Sequence, residues 1–401
     1  MDTIASTGST GYTALLNIVL VSIQSAIDSK KVSLDRFGDD LCEVLLSYLS
    51  IKDRFRYECV SKQWQRLIYT TVTDLKTSEV NKRKPVDTES HLQAFELLLK
   101  KCPNIAFIYC RYAMSVRMLS LITKHCNHLN GIYMSVERNT TNETINEFFA
   151  NFAKRLQSLE WTPCQGAVEG YILNNMKCCQ NLRELYLGYE GNQLSHVLSD
   201  DRNEIVDYDD DDKSIAAVMT GLSQMRALID LNIDHPVYEY TDVVNDHLRQ
   251  IGVNCPQIRR LALKIRLLSN SPYDELIAVL NDSFKRLKRL EIVSNFNEGL
   301  PNEGVNPCKR ITHLRLNSLN IDPLKFYDHE IDHMVANVDK VFPSIVSLSV
   351  NYIVATDDVL RSLARLPKVR FIKLENSTYW FTRHALNDLR QHKPDTIIEI
   401  T

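Results

Sequence analysis

From about residue 90 to its C-terminus the sequence restates one short figure: an apolar residue, two variable ones, an apolar residue, one variable, an apolar residue. It recurs in "CPNIAFIYC", "CNHLNGIYM", "RLQSLEW", "CQNLRELYL", "MRALIDLNI", "CPQIRRLAL", "FKRLKRLEI", "CKRITHLRL", "FPSIVSLSV" and "LPKVRFIKL". The first apolar residues of these copies are Ile105, Leu129, Leu156, Leu182, Leu228, Ile258, Leu287, Ile311, Ile345 and Val369, and most steps are 24 to 34 residues. The longer step, from Leu182 to Leu228, holds the stretch "DDRNEIVDYDDDD". A unit this short cannot bury its own apolar side, so it must stack on copies of itself and share one core with them.

Within each copy the last two apolar residues are two apart, as in Leu314 and Leu316, which is the period of a strand burying one face. Between copies, "DVVNDHLRQIG", "DELIAVLNDSF" and "DDVLRSLARL" space their apolar residues three and four apart, as an amphipathic helix does. Each unit is therefore a short strand and a helix, and the copies resemble leucine-rich repeats. Cys102, Cys126, Cys179, Cys255 and Cys308 stand three positions ahead of the first apolar residue, as in the cysteine-containing subtype. One cysteine per repeat lacks the compact spacing of a metal site.

Stacking of this kind lines a concave face with parallel strands and a convex face with helices. The side chains between core positions then point into the concave face: Phe107 and Tyr109, Gly131 and Tyr133, Glu184, Tyr186 and Tyr189, and Asp230, Asn232 and Asp234. Further along come Arg260 and Lys264, Arg289, His313 and Arg315, and Lys373. Aromatic anchors at one end and basic residues at the other suit a protein ligand. Tyr109, Tyr133, Tyr186, Tyr189, Arg260, Lys264, Arg289, Arg315 and Lys373 are the expected substrate-binding residues.

Ahead of the repeats, "GDDLCEVLLSYLS" places apolar residues at Leu41, Val44, Leu45, Tyr48 and Leu49, again at helical spacing, with Asp39 and Asp40 favourable in a first turn. "KDRFRYECV" restarts at Asp53, and Ser61 is the expected N-cap of "KQWQRLIY". Three short helices in so few residues make a very small core, and such a unit gains from a partner surface. These residues resemble an F-box. Asp40, Leu41, Leu45, Leu46, "SYL" (Ser47–Leu49), Asp53, "VSK" (Val60–Lys62) and Trp64 follow its motif in order, while Phe37 and Gly38 replace its leucine and proline.

The F-box resemblance implies docking on a Skp-family adaptor, and through it on a cullin-RING ligase, with Phe37, Gly38, Leu41, Leu45, Leu49, Asp53, Val60 and Trp64 as the adaptor-binding residues. It further implies that the repeats present an unknown protein substrate for ubiquitination, and that this subunit is itself non-catalytic. The expected fold is thus α/β: a short helical F-box followed by a leucine-rich-repeat solenoid, with parallel strands on the concave face and helices on the convex face. The expected divisions are an N-terminal tail (1–32), the F-box (33–70), a linker (71–90) and the repeats (91–401), with an acidic insertion at 198–213. The alternative is a repeat scaffold that binds protein without ubiquitin transfer.

Composition narrows the choice. The chain has 401 residues, 44% of them hydrophobic, and a formal net charge of −3, with eight acidic residues between Asp200 and Asp212; nothing in this balance calls for nucleic acid. Its 10 cysteines include no CxxC pair, which fits reduced thiols in the cytoplasm or nucleus. The apolar run Ala14–Ile27 is interrupted by Asn17, Ser22 and Gln24 and is too short to span a membrane, so no membrane partner is expected. "HEIDH" (His329–His333) matches a zinc-peptidase spacing. Its helix would bury Ile331, Met334, Val335 and Val338, so both imidazoles would face solvent. No metal, cofactor or catalytic residue is expected.

Overall fold

The computed structural model describes residues 38–80, 88–137, 140–163, 175–188, 219–237, 242–265, 273–294, 306–318, 335, 337–351, 354–375, 378–379 and 381–401. Phe37, Tyr189, "HEIDH", the acidic insertion and the N-terminal tail lie outside the described residues. The chain forms two compact units that divide between Met134 and Ser135.

The first unit opens with three helices, α1 (Asp39–Ser47), α2 (Ile51–Arg56) and α3 (Lys62–Thr71). Local chemistry sets their starts. Ser61 Oγ accepts from the Trp64 N–H at 3.1 Å, as its sequence position predicts. Helix α2 begins earlier than expected, because Ser50 rather than Asp53 caps it: Ser50 Oγ accepts from the Asp53 N–H at 3.2 Å and donates to the Asp53 carboxylate at 2.7 Å, a reciprocal cap. After α3 the stretch expected to be a linker contributes strand β1 (Asp74–Lys76) and a short helix, Thr77–Val80. Strand β1 pairs in parallel with β2 (Phe107–Met114), and β3 (Gly131–Val136) follows β2 in the same sheet. The helices Glu89–Lys101 and Val116–His125 connect these strands.

In the second unit, β4 (Ser158–Pro163), β5 (Glu184–Gly188), β6 (Asp230–Val237), β7 (Arg260–Ile265), β8 (Arg289–Ser294), β9 (His313–Ser318) and β10 (Ser347–Asn351) follow one another in sequence order. A two-residue pair, β11 (Val354–Ala355) with β13 (Thr378–Tyr379), stands apart, while β12 (Phe371–Glu375) and β14 (Ile397–Ile400) complete the main order. The pairings described from β4 onward are parallel, which requires a crossover between successive strands; the helices Asp242–Asn254, Tyr273–Ser283 and Asp357–Arg365 are three of these crossovers.

The leading apolar residue of all ten sequence copies is buried. The alternate strand residues Leu261, Leu290, Leu314 and Leu348 are register partners and also buried, which is the shared core that the repeats require. The cysteines close each turn. Cys255 Sγ donates to the carbonyls of Leu222 and Met225 in the preceding repeat, at 3.5 and 3.2 Å. Burial pushes the thiols of Cys102, Cys126, Cys179 and Cys308 up to about 12 and that of Cys255 up to about 11, so they stay protonated and act as small apolar packing groups.

Close helix packing supplies a first test. On helix Asp242–Asn254, a Cβ at Gly252 would lie 2.6 Å from Ser283 Cβ, 2.9 Å from the Ser283 carbonyl carbon and 3.0 Å from Phe284 Cδ2. Alanine gains roughly 1 kcal/mol of helix propensity, but overpacking costs about 1–3 kcal/mol, and the backbone of Ser283 cannot rotate out of the way. Gly252→Ala is therefore expected to lower the denaturation midpoint; a raised midpoint would show that the two helices do not approach this closely.

Candidate functional site

The core of the three-helix segment is Cys42, Leu46, Leu49, Trp64, Leu67 and Ile68, with Leu45, Phe55, Tyr57, Val60 and Tyr69 packed against it. Helix α1 is apolar on two sides. Cys42 and Leu46 face inward, while Leu41, Val44 and Tyr48 remain 47%, 51% and 53% exposed. Spaced three and four apart, these form one stripe. Leu45 is half-buried between stripe and core. Large apolar side chains left exposed together in this way are typical of surfaces that take part in contacts.

Of the other expected adaptor residues, Trp64, Leu49 and Val60 belong to the core beneath it. Trp64 is only 1% exposed and fills the centre of the core, where its indole N–H finds no acceptor among the described residues. Leu49 is buried and Val60 packs against the same core, while Asp53 completes the α2 cap. Gly38 is exposed and precedes α1 with φ −62° and ψ 157°.

Gly38 has the φ of proline, and a Cβ there would meet nothing within 4 Å. Gly38→Pro is accordingly expected to stabilise the helices by about 0.4–1 kcal/mol, by restricting the unfolded chain. Hydrogen exchange of the α1–α3 amides checks this; faster exchange in the variant would contradict it.

Polar contacts clamp the helices together. Asp39 at the start of α1 accepts from Gln63 at 2.8 Å and from Arg66 with both oxygens at 2.8 Å. The Arg66 hydrogen bonds, followed by that of Gln63, hold its carboxyl below the usual carboxylate range. Glu58, between α2 and α3, accepts from Tyr69 at 2.7 Å and from Lys101 at 2.7 and 2.8 Å. Burial works to raise the Glu58 pKa, but the hydrogen bonds from Lys101 and Tyr69 outweigh it and the net shift is downward. The Lys101 ammonium also lies over the rings of Phe55 and Tyr69, at 5.8 and 5.3 Å, a cation–π arrangement.

On the sheet, the expected substrate residues fall into distinct groups. In the first unit Tyr109 and Tyr133 stack with ring centroids 4.6 Å apart and planes 8° from parallel. In the second unit the Tyr186 hydroxyl donates to Asp234 at 3.1 Å, and burial, then the Asp234 charge, raises its pKa. Most cations are already paired across strands. Arg260 meets Asp230 at 3.4 Å, Lys264 meets Asp234 at 3.0 Å, and Arg315 lies 3.6 Å from Glu291 and 3.7 Å from Glu375. Lys373 pairs with Glu375, whose hydrogen bond raises the lysine pKa. Arg289 is exposed and makes no ion pair among the described residues.

Sequence reasoning did not anticipate these pairings. Part of their signal was present in the repeat: Asp230 follows Leu228 as Arg260 follows Ile258, Asp234 follows Leu228 as Lys264 follows Ile258, and Glu291 follows Leu287 as Arg315 follows Ile311. Among the described residues no cluster of three potential metal ligands occurs, and no helix is long and apolar enough to cross a membrane.

Residues 34–71 match the F-box domain family, so the three helices with the exposed stripe coincide with that domain. No curated protein matches the chain. Among solved structures, the chain is similar to one described as a crystal structure of the Rad7 and Elc1 complex in yeast, with 12% identity, 96% of this chain and 94% of that chain covered, and a TM-score of 0.47. A structure of a TLR13–ssRNA13 complex is similar over 76% of this chain and 37% of that chain, with 13% identity and a TM-score of 0.42.

Proposed function

We propose that this chain is the substrate-recognition subunit of a Skp-cullin-F-box ubiquitin ligase. The observation that carries the reading is the coincidence of the F-box match, residues 34–71, with a helix whose second apolar side is left exposed. The stripe of Leu41, Val44 and Tyr48, flanked by Leu45, is the surface for a Skp-family adaptor. Trp64, Leu49 and Val60 hold that surface in place from behind, and Asp53 fixes α2.

The repeats supply the second half of the role. A regular array of parallel strands offers a broad, firmly held face that suits a protein ligand better than a small molecule. Within the first unit Tyr109 and Tyr133 offer a rigid aromatic anchor, and within the second Arg289 offers an exposed charge. The subunit brings a substrate lysine to an external catalytic enzyme and contributes no reacting group itself. It works in the cytoplasm or nucleus.

The test is reconstitution. The full chain, co-expressed with a Skp-family adaptor and a cullin, is expected to co-elute with both in size-exclusion chromatography. If the chain elutes alone in the presence of excess adaptor, the ligase reading fails and a protein-binding repeat scaffold remains.

A further inference from the structure

Three consecutive turns of the second unit carry a concentrated charge. The segments that lead into β7, β8 and β9 read "CPQIRR" (Cys255–Arg260), "FKRLKR" (Phe284–Arg289) and "NPCKRITH" (Asn306–His313), with eight lysines and arginines and no carboxylate. The sheet sets them side by side. Arg260, Arg289 and His313 are register partners on adjacent strands, and the amides of Lys288 and Arg289 donate to the Arg259 carbonyl at 2.8 and 2.9 Å.

Part of this charge has a structural use. Lys285 and Arg310 donate to the Asn281 carbonyl near the end of helix Tyr273–Ser283, at 3.3 and 2.5 Å. Arg286 bonds the Gln257 side chain, and Arg260 pairs with Asp230. Arg259, Lys288, Arg289 and Lys309 are left: all four are exposed and none forms an ion pair among the described residues, although Arg289 lies near enough to Asp230 for its charge to act on that carboxyl. Lys264 and Arg315, on the same sheet, do have acidic partners. Like charges on neighbouring strands repel, and the field is felt locally. The His313 imidazole is held below its usual pKa first by burial and then by Arg289.

We propose that the turns leading into β7, β8 and β9 bind an acidic segment of a partner protein, a run of aspartate and glutamate side chains in extended chain. The partner's role as substrate rests on the ligase reading; the binding itself does not. Spread of the charge decides the ligand. Strands lie roughly 4.8 Å apart, so three of them span about 10 Å, the reach of about three extended residues. Cations distributed over that distance match single charges along a chain and form no cradle around one dianion. Nucleic acid fits less well, because single strands are held by several exposed aromatic side chains that stack on successive bases, whereas in these turns Phe284 is buried and only the His313 ring is exposed.

Fluorescence anisotropy of a fluorescein-labelled polyglutamate peptide with the full-length chain tests the proposal. Saturable binding is expected, weakened about tenfold or more by the double reversal Lys288→Glu and Arg289→Glu. It should be retained by the charge-conserving pair Lys288→Arg and Arg289→Lys. It should also be retained when the exposed Lys368 and Arg370, which lead into β12, are changed to glutamate. Absence of saturable binding overturns the proposal, and so does an equal loss from the Lys368 and Arg370 reversals, which would reflect net charge alone. Tighter capture of a single-stranded oligonucleotide of equal charge overturns the choice of partner. Adaptor capture is scored separately on the same variants, so this inference and the ligase reading can fail independently.

Discussion

Trp64→Ala is expected to unfold the three N-terminal helices and abolish adaptor capture. The indole is 1% exposed and packs with Cys42, Leu46, Leu49, Leu67 and Ile68 in a single small cluster. Truncating a buried tryptophan costs about 3–5 kcal/mol. Whole domains are stable by only about 5–15 kcal/mol, and a core of this size sits at the low end. Hydrogen exchange of the amides of α3, measured with and without the substitution, gives the readout. Trp64→Phe separates packing from polarity. Because the indole N–H has no acceptor to lose among the described residues, an aromatic replacement should cost much less than alanine. If the two variants were equally damaging, the core assignment would be wrong.

The second large effect leaves folding untouched. The double variant Leu41→Asp and Val44→Asp is expected to keep the thermal midpoint and lose adaptor affinity by about 1,000-fold, taking about 2 kcal/mol for each central apolar contact. Both positions are about half exposed, so little intramolecular packing is lost, and surface changes of this kind usually stay within about 0.5 kcal/mol. Leu41 lies in the first turn of α1, where an added carboxylate is favourable. Titration calorimetry against a Skp-family adaptor measures the affinity, and calorimetric melting measures the stability. Unchanged affinity would exclude the stripe as the docking surface.

Much of the architecture was legible because each repeat declares itself. A leading apolar residue, then apolar residues two apart, marks ten strands, and all ten leading residues are buried. Strands β1 and β14 were not legible: "TDLK" is followed by Thr77 where the other copies have the last apolar residue, and "TIIEI" is preceded by Asp395 where they have the leading one, so their strands are evident only in the pairing with β2 and β12. Helix α1 was legible as a helix but not in orientation. Its apolar residues fall on two sides, so spacing alone does not say whether Cys42 and Leu46 or Leu41 and Val44 turn inward. The ion pairs of the cationic strand residues were legible only in part. Aligning the copies on their leading apolar residues sets Asp230 beside Arg260 and Glu291 beside Arg315, but that Arg315 also reaches Glu375, two strands away, depends on side-chain conformation that the repeat does not encode.

The clasp of Glu58 with Lys101 has a mechanical consequence. Lys101 ends the helix Glu89–Lys101, while Glu58 lies between α2 and α3. Besides the chain path through β1, this ion pair and the hydrogen bond from the Asn104 amide to the Thr70 carbonyl at 3.0 Å tie the helical trio to the first repeat. One attachment permits swivelling about itself, whereas several resist it. A protein that grips α1 would therefore turn the first repeat helix with it, as a wrench turns a bolt, and the angle at which the early strands face outward would follow the grip.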